Sequence, residues 1–272
     1  MSMFKPYWAA LVLDLQTVLR FRSNILFFLT AVLIPPLAVF FLWRTVLGTE
    51  EAIGAYDLRS MVTYYLIVQF MVANTPHTAT YEIRENIYNG RLAAWLTRPC
   101  SYFTLYLARV IGSWIPFWLF GAAGTSVVAL VLRDYVQLPP HPVLLVLALL
   151  LWLGGVLLGF TWGYLINLTA FWTERAVGVV TVADVVVFFL AGGILPLDLL
   201  PVQWLWQALP FRFFGWVPAQ VYLGRLDLAA IGAEWIKLMI WVLVLLCLSR
   251  LLWRRGLRRF QGPGGDSICS ES

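Results

Sequence analysis

The sequence has few charged side chains: Asp, Glu, Lys and Arg make up 12% of its 272 residues, whereas apolar residues make up 61%. Ordinary soluble domains carry about 25% charged residues. This scarcity excludes a water-soluble fold. The apolar residues form separate blocks of membrane-spanning length, so we expect one membrane domain over residues 1–260 and no separate soluble domain.

Lysine, histidine and cysteine are also rare, and their scarcity excludes several kinds of site. The two lysines, Lys5 and Lys237, are followed by proline and leucine, so no phosphate-binding loop ending in Gly-Lys-Ser or Gly-Lys-Thr is possible. The three cysteines are far apart and indicate neither a disulfide framework nor a zinc site. His77 is interpreted as a buried polar residue of the second predicted span, without an acidic partner nearby in sequence. The chain is therefore expected to be no enzyme and to bind no metal or cofactor itself.

Six apolar blocks each have about the twenty residues that a helix needs to cross the hydrocarbon core of a membrane. They occupy residues 25–43, 61–79, 110–132, 143–166, 176–195 and 235–252. Only helices and closed barrels satisfy their backbone groups in lipid, and long uncharged runs favour helices over a barrel. We therefore predict an all-α membrane protein with six transmembrane helices.

The basic residues are distributed unevenly between these blocks. Thirteen of the 19 Lys and Arg residues lie on one side of the predicted spans and six on the other. The positive-inside rule then places both termini in the cytoplasm, as expected for a multi-pass protein of the bacterial inner membrane. Arginines at positions 254–259 are predicted to bind anionic lipid headgroups. The net charge of +5 thus indicates membrane lipids, and not nucleic acid, as a partner.

Two further apolar stretches are predicted not to span the membrane. Within residues 4–22, apolar residues recur at three- and four-residue steps, which is typical of an amphipathic helix on the cytoplasmic membrane surface. The alternative is that this helix extends the first span inward. Residues 196–224 contain four prolines, which a continuous spanning helix does not easily tolerate. Their aromatic side chains favour short re-entrant or interfacial helices on the external side.

Residues 82–99 are the most polar stretch between the predicted spans. The pattern predicts a short helix outside the membrane, with Ile83 and Ile87 on its apolar side. The charged residues that remain available to a soluble partner are Arg84, Glu85, Arg91 and Arg98. The alternative interpretation is a solvated loop.

Asp184 is the one carboxylate well inside a predicted span. Because burying an acid at this depth costs desolvation free energy, we interpret Asp184 as a candidate residue of a transport pathway. A structural hydrogen bond is the competing interpretation.

Glycines cluster in the third and fourth predicted spans. Since a residue without a side chain lets two helices approach closely in lipid, we predict that these glycines serve helix packing. They are Gly121, Gly124, Gly154, Gly155, Gly159 and Gly163.

Two motif regions resemble the type 2 permease subunits of ATP-binding cassette (ABC) exporters, the ABC-2 family, and particularly a bacterial branch whose substrates are mostly unassigned. The first comprises Asn89-Gly90-Arg91-Leu92 and Leu96-Thr97-Arg98-Pro99. The second comprises Gly193-Ile194-Leu195-Pro196-Leu197 and Leu209-Pro210-Phe211. The resemblance covers nearly the whole chain. It implies a fold with an N-terminal connecting helix, six spans, a coupling helix and external re-entrant helices.

The resemblance also implies partners. Residues 82–95 resemble a coupling helix that docks on a separate ABC ATPase subunit, which would bind the ATP, and residues 173–175 resemble a second, smaller contact. The candidate coupling residues are Arg84, Glu85, Asn89, Gly90, Arg91, Glu174 and Arg175. Family members work as dimers, so the resemblance implies a second permease copy or a related permease, and export is their usual activity.

The alternative function is that of a secondary transporter or channel powered by an ion gradient. Such proteins often contain inverted repeats with matching broken helices, whereas the proline-rich break occurs here only once. An apolar, aromatic bundle fits an amphipathic, lipid-like or drug-like cargo better than a small ion. Residues 261–272 are predicted to form a disordered tail.

Overall fold

The computed structural model describes residues 5–20, 22–48, 52–76, 81–173 and 176–260, and these ranges contain helices and turns without a β-strand. The helices are α1 (Lys5–Arg20), α2 (Arg22–Val46), α3 (Leu58–Ala73), α4 (Tyr81–Tyr88), α5 (Leu92–Leu96), α6 (Tyr102–Val131), α7 (Pro142–Asn167), α8 (Ala176–Leu190), α9 (Gln203–Ala208), α10 (Trp216–Tyr222) and α11 (Leu228–Leu257). The predicted tail at residues 261–272 lies outside the described residues. The prediction of an all-helical chain is confirmed for the part described.

Three described helices are long and apolar enough to cross a membrane: α6, α11, and α7 with the 3₁₀ turn that continues it to Phe171. They contain the predicted spans 235–252 and 143–166 and all but the last residue of the predicted span 110–132. The other three predicted spans overlap in part with shorter apolar helices, Ile34–Val46, Leu58–Ala73 and Val180–Leu190. The structure therefore supports an apolar helical membrane protein, whereas the count of six spans stays a prediction.

Side-chain caps determine where two of the long helices begin. The Ser101 hydroxyl accepts a hydrogen bond from the Thr104 backbone N–H, and Asp227 does the same for the N–H of Ala230 at 2.7 Å. These caps satisfy backbone donors that the first helical turn leaves unpaired. Consequently α6 and α11 begin well before the apolar blocks that the sequence shows.

α1 and α6 form the most extensive helix pair among the described elements. A Cβ atom at Gly112 of α6 would overlap the carbonyl oxygen of Leu11 and lie 2.9 Å from its Cα atom. The backbones can therefore touch only because residue 112 is glycine. The Trp8 side chain, which the sequence pattern groups with Leu11, is 68% exposed.

α7 occupies the centre of the bundle, where it contacts α4, α8, α10, α11 and the 3₁₀ turn Pro210–Phe214. A Cβ atom at Gly155 would lie 2.5 Å from the Phe213 carbonyl oxygen, and one at Gly159 would overlap the Thr75 side chain. The packing role predicted for these two glycines is confirmed. We call the end of the bundle at which α4 lies the α4 end.

Residues 196–224 fold into short helices interrupted at prolines: the 3₁₀ turns Leu197–Leu199 and Pro210–Phe214, α9 and α10. They lie at the end of the bundle opposite α4. Arg212, buried in this segment, forms an ion pair with Glu234 of α11, whose other carboxylate oxygen accepts a hydrogen bond from Lys237 at 2.9 Å. This ion pair holds the proline-interrupted segment against the start of α11.

Asp198 connects three segments at this opposite end. One of its carboxylate oxygens accepts hydrogen bonds from the Tyr56 hydroxyl at 2.9 Å and from the Trp216 indole N–H at 3.1 Å. The Gln220 amide donates to the Tyr56 hydroxyl at 2.6 Å, and the Arg225 guanidinium lies 3.8 Å from the centre of the Tyr56 ring. Burial and the neighbouring Asp198 carboxylate raise the pKa of Tyr56. This buried polar network fixes the loop before α3 to the segment after α8.

Candidate functional site

α4 has one buried face, formed by residues three and four positions apart. Ile83, Asn86 and Ile87 are buried, and Leu92 of α5 continues the face. The apolar members pack on the ends of α6 and α7, in a cluster with Tyr102, Tyr106, Phe160 and Tyr164. Removing three aliphatic side chains from water contributes about 1.5–3 kcal/mol each. Apolar burial therefore supplies most of the free energy that holds α4 in place.

Polar contacts fix the orientation of α4 on α6. Glu82 accepts hydrogen bonds from Arg109 at 3.1 Å and from the Tyr106 hydroxyl at 3.1 Å, one on each carboxylate oxygen. The Asn86 amide donates to the Tyr102 hydroxyl, also at 3.1 Å. The side chains of the ion pair are partly exposed, so it contributes about 1 kcal/mol or less. Its main effect is to set the register of α4 along the first two turns of α6.

The other side of α4 is exposed. Tyr81, Glu85, Tyr88 and Asn89 lie four and seven or eight residues apart, and we call them the exposed α4 face. The Asn89 amide lies 3.5 Å from the Glu85 carboxylate, to which it donates. These side chains form a mixed aromatic and polar surface that the described residues leave largely open to a partner.

The segment that follows α7 lies beside α4. The Tyr88 hydroxyl donates to the Thr173 carbonyl oxygen at 2.7 Å, and α4 contacts the 3₁₀ turn Leu168–Phe171. Glu174 and Arg175, the predicted second contact, lie outside the described residues. The structure thus brings residue 173 next to the exposed α4 face, although 85 positions separate it from Tyr88 in sequence.

The predicted helix in residues 82–99 is two short helices. Gly90 has a positive φ of 66°, a conformation that residues with side chains rarely adopt, and the chain turns there between α4 and α5. Arg91, in the turn, is exposed. The Arg98 guanidinium lies 4.2 Å from the centre of the Trp95 ring and forms a cation–π contact with it. Arg98, one of the four charged residues predicted to be available to a partner, therefore already has a contact within the protein.

Arg84 occupies a different environment from the other candidate coupling residues. Its side chain is 12% exposed and lies 3.7 Å from that of Glu85, which is 47% exposed. The Arg84 Nε atom is buried and has no hydrogen-bond partner among the described residues. Glu85 therefore presents its charge to the outside, while Arg84 lies against the protein.

Asp184 lies on α8 and is half-buried, and no hydrogen bond or ion pair to another described residue is found for it. Val182, Val185 and Val186, on neighbouring positions of α8, are exposed. Asp184 belongs neither to the α4 end nor to the network around Asp198. His77 lies outside the described residues.

Sequence reasoning missed the contacts of Glu82 and Tyr88. Both residues lie in the segment it identified, but their partners Arg109 and Thr173 lie on other elements, and only the fold brings them together. The ion pair could have been suspected from Arg109, the isolated basic residue on the first turns of α6. Across the described ranges, no three His, Cys, Asp or Glu side chains are grouped as metal ligands would be.

The model of a family described as "ABC-2 family transporter protein" matches residues 33–264, which include every segment discussed above except α1 and the first part of α2. No curated protein matches the chain.

Proposed function

Since the chain belongs to the ABC-2 family of transporter proteins, we propose that it is the permease subunit of an ABC exporter in the bacterial inner membrane. The α4 end lies in the cytoplasm, together with both termini. ATP is bound and hydrolysed by a separate ATPase subunit, and the substrate pathway forms between this chain and a second copy or a related permease. A lipid-like or otherwise amphipathic cargo suits the apolar helices.

The observation that carries the proposal is the exposed α4 face on a rigidly seated helix. α4 buries Ile83 and Ile87 against α6 and α7 and is oriented by Glu82, so a force applied to its outer side is passed to both helices. α6 has 30 residues, and at about 1.5 Å per residue it is about 45 Å long. α6 is therefore long enough to connect the α4 end with the opposite face of the membrane.

In this mechanism, ATP binding draws the two ATPase subunits together, and each carries an α4 helix with it. α6 follows through its contacts with α4, and α7 follows through the contact between Tyr88 and Thr173. The exposed valines of α8 face the lipid or the second permease. In this proposal Asp184, which lies beside these valines on α8, borders the pathway between the two permeases.

Co-purification with the ATPase subunit tests the proposal. Purification of the full chain under mild detergent is expected to retain a subunit with a phosphate-binding loop. Reversing the charge of Glu85 or Arg91 is expected to weaken that association about tenfold, because a repulsive pair replaces an attractive one.

The matched control is Arg133→Glu, which reverses an 81% exposed charge at the opposite end of the bundle and is expected to leave the association unchanged. Reversing Arg91 and reversing Arg133 change the net charge by the same amount, so equal weakening by these two variants would assign the Arg91 effect to net charge. A transport-competent preparation without any ATPase would overturn the proposal in favour of an ion-gradient-driven transporter or channel.

A further inference from the structure

A cavity of about 470 Å³ opens at the α4 end between α5, the start of α6, α7 and α11. One of its walls is aromatic: the Tyr102 and Trp253 rings stack at a centroid distance of 5.3 Å, and the Trp95 ring meets Tyr102 edge-on at 5.9 Å. Its volume is in the range of ligand pockets in proteins. Stacked aromatic rings suit the boundary between hydrocarbon and headgroups, where one end of a ligand is apolar and the other is wet.

The polar groups of the cavity favour an anion. Arg250 lines it, is exposed and forms no ion pair with a described residue, and no carboxylate is among the lining side chains. Ser101 and Thr104, at the beginning of α6, also line the cavity. The N-terminus of a helix carries partial positive charge, and the first turn of α6 has no acidic residue that would offset this charge. A phosphate group placed there meets positive charge from two sides.

Ser249 is the second observation that points to a ligand. Its side chain lines the cavity and is 3% exposed, and its hydroxyl has no hydrogen-bond partner among the described residues. Serine and threonine inside helices often return the hydroxyl to the carbonyl of the preceding turn, as Thr161 does to Leu157 at 2.7 Å. A buried hydroxyl without a partner destabilises the protein, and a bound acceptor would remove that cost.

We propose that this cavity binds the phosphate headgroup of one anionic phospholipid, with Arg250 and Ser249 as its ligands and the aromatic wall against the acyl chains. A lipid is favoured over a soluble anion because Leu246 and Phe103 continue the lining toward the apolar flank of α11, where Leu243 and Leu251 are exposed. Bound there, the lipid fills the space between α5 and α11. The site is distinct from the exposed α4 face and does not depend on the ATPase.

Two cysteines provide a direct probe. Cys100 lines the cavity, whereas Cys247 lines an adjoining arginine-rich groove on α11, which shares Arg250 with the cavity. The experiment uses the full chain in mild detergent, with whatever subunit co-purifies, and either Cys100 or Cys247 as the sole cysteine. The rate of maleimide labelling is measured after delipidation and after adding phosphatidylglycerol, phosphatidylethanolamine or glycerol 3-phosphate. Phosphatidylglycerol alone is expected to protect Cys100, and Cys247 is expected to stay reactive.

Variants test the assigned ligands. Arg250→Gln is expected to weaken protection of Cys100 by phosphatidylglycerol about tenfold or more, as the loss of a charged hydrogen bond does, and Ser249→Ala about fivefold. Ser249→Ala is also expected to leave the delipidated protein at least as stable as the wild type, because it removes a buried hydroxyl without a partner among the described residues. Weaker protection in this variant would therefore not be caused by unfolding. The matched control is Arg258→Gln, which changes an arginine of the neighbouring groove and is expected to alter protection less than twofold.

Three results would overturn the proposal. Equal weakening by Arg250→Gln and Arg258→Gln would mean that lipid is attracted only by the general charge of α11. Protection by glycerol 3-phosphate or phosphatidylethanolamine as strong as by phosphatidylglycerol would contradict an anionic lipid as the ligand. Protection of Cys100 that persists after delipidation would mean that a protein segment covers the cavity.

Discussion

The contact between α1 and α6 can be tested by adding one methyl group. In Gly112→Ala, the new Cβ atom would overlap the Leu11 carbonyl oxygen and lie 2.9 Å from the Leu11 Cα and carbonyl carbon. Non-bonded carbon atoms prefer about 3.5–4.0 Å, so α1 must retreat by about 0.6 Å or more. Because the opposing atoms are backbone, no side-chain rotation can relieve the overlap. Overpacking of this kind costs about 1–3 kcal/mol.

Glycine replacement also has an intrinsic effect, which the control must remove. Alanine is favoured over glycine inside a helix by about 1 kcal/mol. Gly232 of α11 has no atom within 4 Å of a Cβ added there, so Gly232→Ala is expected to reveal this gain alone. Gly112→Ala is therefore expected to be about 1–3 kcal/mol less stable than Gly232→Ala, a difference in folding equilibrium of about tenfold per 1.4 kcal/mol.

The assay combines unfolding in detergent, followed by tryptophan fluorescence, with hydrogen exchange of the backbone amides. Gly112→Ala is expected to unfold earlier and to speed exchange in α1 (Lys5–Arg20), while exchange in α7 stays unchanged. If the two alanine variants unfold alike and α1 exchanges as in the wild type, α1 does not pack on α6 at Gly112. The connection between the N-terminal helix and the bundle would then have to be sought elsewhere.

Two further predictions concern the two ends of the bundle. At the α4 end, a double-mutant cycle of Glu82→Gln and Arg109→Gln is expected to give a coupling free energy of about 0.5–1 kcal/mol in the same unfolding assay, and strictly additive costs would contradict the ion pair. At the opposite end, Asp198→Ala leaves the hydroxyl of the buried Tyr56 and the indole N–H of the partly buried Trp216 without this acceptor and is expected to cost about 2–4 kcal/mol. Asp198→Asn keeps an accepting oxygen and is expected to cost less than half as much; equal costs would refute this account.

The long helices could be predicted because the thickness of the bilayer determines how many consecutive apolar residues a spanning helix needs. A run of about twenty apolar residues has few alternatives to a spanning helix, whatever it packs against. The helix ends were less predictable, since Ser101 and Asp227 extend α6 and α11 by local hydrogen bonds beyond the apolar runs. Likewise, the predicted packing roles of Gly155 and Gly159 are confirmed, but nothing in the sequence distinguished Gly112, whose partner Leu11 lies on a different helix.

In the candidate coupling segment, periodicity predicted the buried residues but not the surroundings of the charges. Ile83 and Ile87 are buried as their spacing indicates, since an amphipathic helix must cover its apolar side. Arg84 was expected to face a partner and is instead mostly buried, because the fold covers a position that helical spacing alone leaves open. The break between α4 and α5 at Gly90 is indicated by the local sequence, because Asn-Gly pairs such as Asn89-Gly90 favour turns with positive φ.

The energetics of α4 indicate which contacts would transmit a force from an ATPase subunit. Burial of Ile83, Ile87 and Leu92 contributes about 4.5–9 kcal/mol in total, whereas the ion pair of Glu82 contributes about 1 kcal/mol or less. Losing the ion pair would therefore leave α4 seated and would change only its register on α6. Detaching α4 would require exposing the aliphatic side chains, so α4 and the adjoining ends of α6 and α7 are expected to move as one body. A partner bound to the exposed α4 face can therefore move the membrane helices without detaching α4 from α6 and α7.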